Sequence, residues 1–301
     1  MIIPAYLKPG DRIRIVSPSG KVQKDKVIPG IELLQEEGFD VIIGKHVFDH
    51  HFQYAGTDRQ RAADLQEAIN DTDAKAILCA RGGYGTVRII EQVDFSPLLK
   101  NPKWIVGFSD VTVLHAVVNK LGLASVHAAM PAFFLENKRP SKSFFSLINL
   151  LSTGVSNIET PSDPLNREGV CSGQLIGGNL SLIYGLQGTP WQVETSGKIL
   201  FIEDLSEYLY HLDRMMQNLK LAGMLKDLAG LIVGGFTEMK DNESPFGKTA
   251  NEIILEAVQD YKFPVCFDFP IGHISKNLAL LSGGNYRLEV SETCHLIRQT
   301  P

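Results

Sequence analysis

The first half of the chain alternates short apolar runs with segments whose apolar residues recur at helical spacing. Apolar runs bounded by turn residues are typical of parallel strands buried on both faces, and the amphipathic segments are typical of helices packed on them. We expect strands at 12–17, 41–43, 76–80 and 103–107, and helices at 26–37, 58–70, from 87 and from 111. This alternation predicts an α/β fold with a parallel sheet, whose functional loops leave the carboxyl ends of the strands.

The second half has a mixed pattern. We expect strands at 170–176, 198–202, 230–236, 265–269, 286–290 and 295–297, and helices at 179–186, 206–222 and 249–259. Between the halves, composition shifts towards Ser, Asn, Pro and Thr, although one helical piece lies near 144–151. We therefore predict an N-terminal domain over 1–140, a linker over 141–167, and a smaller mixed α/β domain over 168–301.

Composition excludes several classes of protein. The chain has 301 residues, 44% hydrophobic and 21% charged, with a formal net charge of -5 and no basic cluster, so we expect no nucleic-acid partner. The first ten residues lack a basic stretch followed by an apolar one, and no segment reaches membrane-spanning length, so we expect a cytoplasmic protein with no membrane partner. The four cysteines are widely spaced, which favours reduced thiols over a zinc site or disulfides.

Ser109 lies where an apolar strand ends and a helix begins. Such a junction exposes a side chain and gathers unpaired backbone N–H groups that can stabilise an oxyanion, which points to acyl transfer. The alternative is that Ser109 and Asp110 only cap the helix. The G-x-S-x-G motif is incomplete, because Val111 stands where its second glycine would be. Ser109 therefore needs partners before it can be called a nucleophile.

The turn at 81–85 has the sequence Arg-Gly-Gly-Tyr-Gly and follows a buried strand. Glycines let a backbone approach a ligand closely, and Arg81 at the strand end could bind a carboxylate with two hydrogen bonds. A plain tight turn and a surface salt bridge for Arg81 are the alternatives. The turn matches neither a Walker loop nor a dinucleotide-binding fingerprint.

A serine nucleophile needs a general base, usually histidine, and a carboxylate that orients it. His273, in a Pro- and Gly-bounded loop after an apolar run, is favoured modestly over His127. We expect packing roles for His115 and His211, and solvent exposure rather than metal binding for His46, His50 and His51. Glu203 and Asp204 end an apolar strand, so one of them could orient an imidazole, or both could cap the next helix.

Six short motifs, in order along the whole chain, resemble the LD-carboxypeptidase family, the serine peptidases of murein recycling. They are GDRIRIVSPS at 10–19, CARGGYG at 79–85, GFSD at 107–110, GGNL at 177–180, IED at 202–204 and PIGH at 270–273.

The resemblance implies a Rossmann-like N-terminal domain with Ser109 as nucleophile and a C-terminal domain with His273 as general base and Glu203 as its orienting carboxylate. It thereby selects His273 over His127 and places the active site between the domains. The oxyanion hole would use the backbone N–H groups of Asp110 and Gly83. Our own candidates for binding the substrate carboxylate are Arg81, with Gly82 and Tyr84 beside it.

The family's usual reaction removes the terminal D-Ala from cytoplasmic murein tetrapeptide, with no metal or cofactor, and its members often form homodimers. The family also includes microcin-immunity peptidases that cleave a peptidyl or aminoacyl nucleotide and rely on aromatic stacking. With only Trp104 and Trp191 available, we favour murein peptide. A non-catalytic peptide-binding module and an esterase or amidase acting on another acyl substrate remain alternatives.

Overall fold

The computed structural model describes residues 1–299, which form two compact units. Unit 1 comprises Met1–Val155 and Leu278–Ser282, and unit 2 comprises Ser156–Asn277 and the chain from Gly283 onwards. The first twelve elements are β1 (Arg12–Val16), α1 (Lys24–Glu36), β2 (Asp40–Ile43), α2 (Asp58–Asn70), β3 (Ala74–Cys79), α3 (Pro97–Lys100), β4 (Trp104–Gly107), α4 (Thr112–Lys120), β5 (Ser125–His127), β6 (Leu135–Glu136), β7 (Arg139–Pro140) and α5 (Lys142–Thr153).

The chain continues with eleven more elements, again given in chain order. They are β8 (Ile158–Pro161), β9 (Gly169–Asn179), α6 (Leu180–Gly185), β10 (Ile199–Leu205), α7 (Leu209–Leu221), β11 (Gly230–Thr237), α8 (Ala250–Ala257), β12 (Val265–Cys266), β13 (Leu280–Ser282), β14 (Asn285–Val290) and β15 (Thr293–Arg298). No helix within residues 1–299 is long and apolar enough to cross a membrane.

Unit 1 is built on a six-stranded sheet with the order β13-β5-β4-β3-β1-β2. Its strands run parallel except β13, which pairs antiparallel with β5. β3 and β4 are buried along almost their whole length, as expected of central strands covered by helices on both faces. The predicted α/β class is confirmed.

Unit 2 is built on a seven-stranded sheet with the order β12-β11-β10-β9-β14-β15-β8. The four strands from β12 to β9 are parallel and the remaining pairings are antiparallel. The buried faces of α6, α7 and α8 belong to one apolar core, with Ile183, Met215, Met216 and Ile254 among its members. The mixed character predicted for this half is therefore observed.

Residues 141–167, predicted as a linker, are instead structured and divided between the units. In unit 1, α5 buries Phe144, Leu147 and Leu150, and the Ser141 hydroxyl caps it by accepting a hydrogen bond from the Phe144 N–H. In unit 2, β8 alternates buried and exposed residues along the sheet edge. The polar composition of the segment conceals an amphipathic helix, in which Lys142, Asn149 and Thr153 are exposed on the face opposite the buried apolar residues.

Several further elements differ from prediction, and two of these differences concern the candidate site and the division of the chain. The strand predicted at 198–202 is β10, which extends to Leu205, and the helix predicted from 206 is α7, which begins at Leu209. Glu203 and Asp204 therefore lie within a strand. A second difference is β13, which was not predicted and which returns the chain to unit 1. The three residues of β13 are too few to show the alternation of apolar and polar positions that predicts a strand.

Candidate active site

Ser109 occupies a sharp turn at the carboxyl end of β4. Its backbone is left-handed, with φ 64°, and it opens a single turn of 3-10 helix, Ser109–Val111, that leads into α4. A non-glycine residue with positive φ is strained and persists where its surroundings impose it, which is common at functional sites. The Ser109 side chain caps neither this turn nor α4, so the capping alternative does not describe it.

The loop after β3 lies directly against Ser109. A Cβ atom added to Gly82 would stand 2.8 Å from the Ser109 Cβ and 3.0 Å from its Oγ. The next residue, Gly83, has φ 114°, a conformation that side-chain-bearing residues rarely adopt. Glycine at both positions therefore allows the backbone of this loop to approach the hydroxyl group.

A buried polar network connects the same loop to its neighbours. The Thr86 N–H donates to Asp110 Oδ2 at 2.8 Å, and the Thr86 hydroxyl lies 2.7 Å from the Ser19 hydroxyl. All three residues are buried. These bonds join the loops after β1, β3 and β4, and so hold the residue next to Ser109 in place. No pattern in the sequence indicates this role for Ser19 or Thr86.

Arg81 and Tyr84 lie on the exposed side of the loop. Arg81 forms no ion pair within residues 1–299; its Nη1 instead donates to the Lys21 carbonyl oxygen at 3.0 Å. Tyr84 is 48% exposed, and its ring centroid lies 6.2 Å from that of Tyr54. The surface salt bridge considered for Arg81 is therefore not formed there, and both side chains can reach a ligand.

Unit 2 pairs a fully buried carboxylate with an imidazole. Glu203, near the end of β10, places Oε2 2.6 Å from His273 Nδ1, and its other oxygen, Oε1, has no hydrogen-bond partner within residues 1–299. A carboxylate at Nδ1 favours the tautomer with the proton there, which leaves Nε2 at the opposite edge of the ring as the proton-accepting atom. The pair has the geometry of a general base and its orienting acid.

Glycines in unit 2 allow the loop that carries His273 to pack close to β10 and β11. A Cβ on Gly272 would lie 2.6 Å from the Glu203 Cβ, and one on Gly234 would lie 2.7 Å from the Ile271 carbonyl oxygen. The Gly235 N–H donates to that same oxygen at 3.0 Å, and the Gly272 N–H donates to Asn277 Oδ1 at 3.0 Å. The backbone around His273 is thus anchored on both sides.

Asp204 forms hydrogen bonds with different residues from those that Glu203 contacts. Its carboxylate accepts hydrogen bonds from the Asn179 side chain and from the N–H groups of Ser181 and Leu205, each at 2.9 Å. Burial first, and then the neighbouring Glu203 carboxylate, raise the pKa of Asp204 to about 7, against the effect of these donors. Neither acid caps α7, whose N-cap is Tyr208. The helix predicted from 179 begins at Leu180 instead, and Asn179 is its N-cap; an Asn before an apolar run is the usual signal for such a cap.

The other histidines have local partners. His115 lies 2.9 Å from both the Ser125 hydroxyl and the Gly107 carbonyl oxygen, and burial lowers its pKa to about 4. His127 is fully buried in β5, with its ring 5.9 Å from that of Phe108. His211 pairs with Glu207 at 2.6 Å. His115 and His211 therefore have the packing roles predicted for them.

Metal-ligating side chains do not cluster in the described part of the chain. No group of three or more His, Cys, Asp or Glu side chains there could hold an ion. The four cysteines are free, and burial raises the pKa of the Cys171 thiol to about 11.

Comparison with known proteins shows which family the chain belongs to. Residues 13–128 match the LD-carboxypeptidase N-terminal domain and residues 172–288 match the LD-carboxypeptidase C-terminal domain. A probable murein peptide carboxypeptidase of Bacillus subtilis is 34% identical over 98% of this chain and 93% of its own length. The chain belongs to the LD-carboxypeptidase family. The predicted family is thus confirmed, and with it a serine carboxypeptidase activity.

Two further proteins that are similar to this LD-carboxypeptidase carry different names. The crystal structure of muramoyltetrapeptide carboxypeptidase from Oxalobacter formigenes matches with a TM-score of 0.87 and 29% identity, covering 96% of this chain and 99% of that one. The microcin C7 self-immunity protein of Escherichia coli is 27% identical over 94% of this chain and 91% of its own length. The chain is therefore similar both to a protein named as a muramoyltetrapeptide carboxypeptidase and to one named for immunity to microcin C7.

Proposed function

We propose that this LD-carboxypeptidase hydrolyses the amide bond before the terminal D-Ala of murein tetrapeptide, in the cytoplasm, and that it acts as a homodimer. The observation that carries the proposal is the 2.6 Å contact between fully buried Glu203 and His273. A buried carboxylate next to an imidazole stabilises the imidazolium that forms when the ring accepts a proton. The names of the Bacillus and Oxalobacter relatives support murein peptide as the substrate.

In the proposed mechanism, Ser109 Oγ attacks the carbonyl carbon while His273 Nε2 accepts its proton. The resulting tetrahedral intermediate collapses when the imidazolium gives that proton to the leaving D-Ala nitrogen, and the acyl group stays on Ser109. Water, deprotonated by the same imidazole, then releases the shortened peptide. Glu203 holds the ring orientation and stabilises its charged form throughout.

Backbone N–H groups would stabilise the oxyanion. We assign Asp110 and Gly83 to this role, and two features support the assignment. The Gly83 N–H donates no hydrogen bond within residues 1–299, and its loop packs against Ser109 through Gly82. Preorganised donors of this kind contribute about 3–4 kcal/mol to transition-state stabilisation.

Recognition of the terminal carboxylate would fall to the loop of Arg81, Gly82 and Tyr84. Arg81 has no carboxylate partner of its own, and its guanidinium is held by the Lys21 carbonyl oxygen. A preoriented guanidinium can bind a carboxylate through two parallel hydrogen bonds. Such a contact would restrict the enzyme to the carboxyl end of its substrate.

Mass spectrometry tests the proposal. A murein tetrapeptide ending in D-Ala is incubated with the wild-type protein and, in parallel, with Ser109→Ala. We expect the wild type to release D-Ala and the variant to release none above background. Release by both would remove Ser109 from the mechanism. Release by neither would exclude murein tetrapeptide, and the relative in Escherichia coli makes an aminoacyl nucleotide the next substrate to test.

A further inference from the structure

A series of buried hydrogen bonds crosses unit 1 and ends at the turn that carries Ser109. His115 and Asn119 lie one turn apart on α4, so their side chains share one face of the helix. His115 Nε2 lies 2.9 Å from the Gly107 carbonyl oxygen, and His115 Nδ1 lies 2.9 Å from the Ser125 hydroxyl. The imidazole therefore connects the end of β4 to the start of β5.

The same series continues to β13, the strand that returns to unit 1 late in the chain. Asn119 Nδ2 donates to the Ser125 hydroxyl at 3.3 Å, and Asn119 Oδ1 accepts from the Ser282 hydroxyl at 2.7 Å. Ser282 and Ser125 stand opposite each other in the pairing of β13 with β5. We call the side chains of His115, Asn119, Ser125 and Ser282 the His115 network.

Every hydrogen bond of the His115 network donates towards Gly107. A carbonyl oxygen can only accept, so His115 Nε2 carries the proton and Nδ1 accepts from the Ser125 hydroxyl. That hydroxyl accepts in turn from Asn119, which accepts from Ser282. Burial lowers the pKa of His115 to about 4, so the ring is neutral near pH 7 and keeps both of its roles.

The composition of the His115 network indicates a requirement for one geometry. His115, Ser125 and Ser282 are buried, and buried polar groups reduce stability unless each is hydrogen-bonded. Apolar side chains of similar volume would avoid that cost, as others on α4 do. Here each side-chain nitrogen and oxygen has a partner, and a fully paired buried network fixes the groups that it joins. The backbone group that it fixes is the Gly107 carbonyl.

Gly107 lies two residues before Ser109, whose left-handed backbone must be imposed by its surroundings. Besides the imidazole, the Gly107 carbonyl accepts a hydrogen bond from the Ala128 N–H at 3.1 Å. On the other side of Ser109, the Asp110 carboxylate accepts from the Thr86 N–H at 2.8 Å. The strained residue is therefore held between two anchors, one on each side along the chain.

We propose that His115 is a positioning residue for the nucleophile. Its Nε2–H holds the Gly107 carbonyl and thereby the left-handed turn at Ser109, and Ser282 holds the imidazole through the His115 network. This inference rests on the proposed role of Ser109 and assigns to His115 more than packing. It also gives a function to the return of the chain to unit 1, because β13 supplies the first donor of the network.

Three substitutions of His115 separate its hydrogen bond from its packing. In His115→Gln the amide nitrogen can take the place of Nε2 and donate to Gly107. The amide of His115→Asn is one carbon shorter and cannot reach, and His115→Phe keeps the ring volume without a donor. In these last two variants we expect kcat for D-Ala release to fall by about a hundredfold, as misplacing a catalytic group does, with KM unchanged. His115→Gln should retain most of the wild-type kcat.

Ser282→Ala tests the far end of the His115 network. It should lower kcat by about threefold, the effect of one neutral hydrogen bond, and should have no effect in a His115→Phe background, where the network is already broken. Leu281→Ala is the matched control. Leu281 is the preceding residue of β13, is fully buried and has an apolar side chain that takes no part in the network. It should destabilise unit 1 more than Ser282→Ala does and keep its kcat.

Two kinetic results would overturn the proposal: equal kcat in His115→Gln and His115→Phe, or a loss in Leu281→Ala as large as that in His115→Phe. Failure of the proposed function would differ, since the wild type itself would release no D-Ala. Crystal structures of the two His115 variants would then decide. A left-handed Ser109 in His115→Gln but not in His115→Phe would support the positioning role, and a left-handed Ser109 in both would exclude it.

Discussion

Two adjacent acids on β10 illustrate how position decides chemistry. Successive side chains of a strand point to opposite faces, so Glu203 contacts the His273 loop while Asp204 contacts the start of α6. Residue type alone could not have distinguished them, since both end the same apolar run. Their partners are separated in sequence by roughly a hundred residues, which no local pattern can reveal.

Asp204 makes protein stability depend on pH. Because folding raises its pKa from 3.8 to about 7, the folded chain binds this proton more tightly than the unfolded chain does. The contribution of Asp204 to the free energy of unfolding is therefore fully present below about pH 4 and is lost as pH rises through 7. Asp204→Asn cannot titrate, so its cost in unfolding free energy should be on the order of 2 kcal/mol smaller at pH 8 than at pH 5.

Urea unfolding at the two pH values measures this difference. Asp260→Asn, at an exposed pair with Lys220, is the control and should cost less than about 1 kcal/mol at both. An Asp204→Asn cost that does not change with pH would mean that the carboxyl group stays ionised across this range.

At the scale of elements, close packing of loops positions the candidate site. Gly272→Ala tests this in unit 2. The added Cβ would lie 2.6 Å from the Glu203 Cβ, and the backbone of residue 272 has φ 97°. The displaced carboxylate should no longer orient His273, and we expect kcat to fall by about a hundredfold, a typical effect of misplacing a catalytic group. D-Ala release from murein tetrapeptide measures it.

Gly197→Ala is the control that separates the effect of contact with Glu203 from the effect of backbone strain. Gly197 also has a positive φ, 70°, but nothing lies within 4 Å of its added Cβ. It should lose about 1 kcal/mol of stability through its backbone and keep its kcat. Similar kcat losses in both variants would show that backbone strain, rather than contact with Glu203, explains the effect.

Element prediction succeeded where one local signal was enough. The strand before Ser109 ends at Gly107 as its apolar run predicts, and α2 spans the predicted 58–70, because Thr57 supplies a capping box. The contact of Gly82 with Ser109 and that of Gly272 with Glu203 were not predictable. A glycine in sequence marks conformational freedom, but not the neighbour that requires it.

At the scale of the whole molecule, the chain contributes to unit 1 twice. After most of unit 2 is complete, β13 returns as the edge strand beside β5, with Leu281 opposite Val126. A domain boundary drawn from composition assumes that each domain is continuous, so it assigns 278–282 to the second domain. Only the long-range pairing of β13 shows otherwise.

This topology predicts that a substitution late in the chain destabilises the earlier unit. Leu281 is fully buried, so Leu281→Ala should lower the unfolding free energy of unit 1 by about 2–4 kcal/mol. Trp104 is buried in β4 of unit 1, whereas Trp191 belongs to unit 2, so fluorescence in a Trp191→Phe background reports unit 1 alone. We expect Leu281→Ala to lower the urea midpoint that Trp104 fluorescence reports. A midpoint that falls only for Trp191, read in a Trp104→Phe background, would place Leu281 in the stability of unit 2 instead.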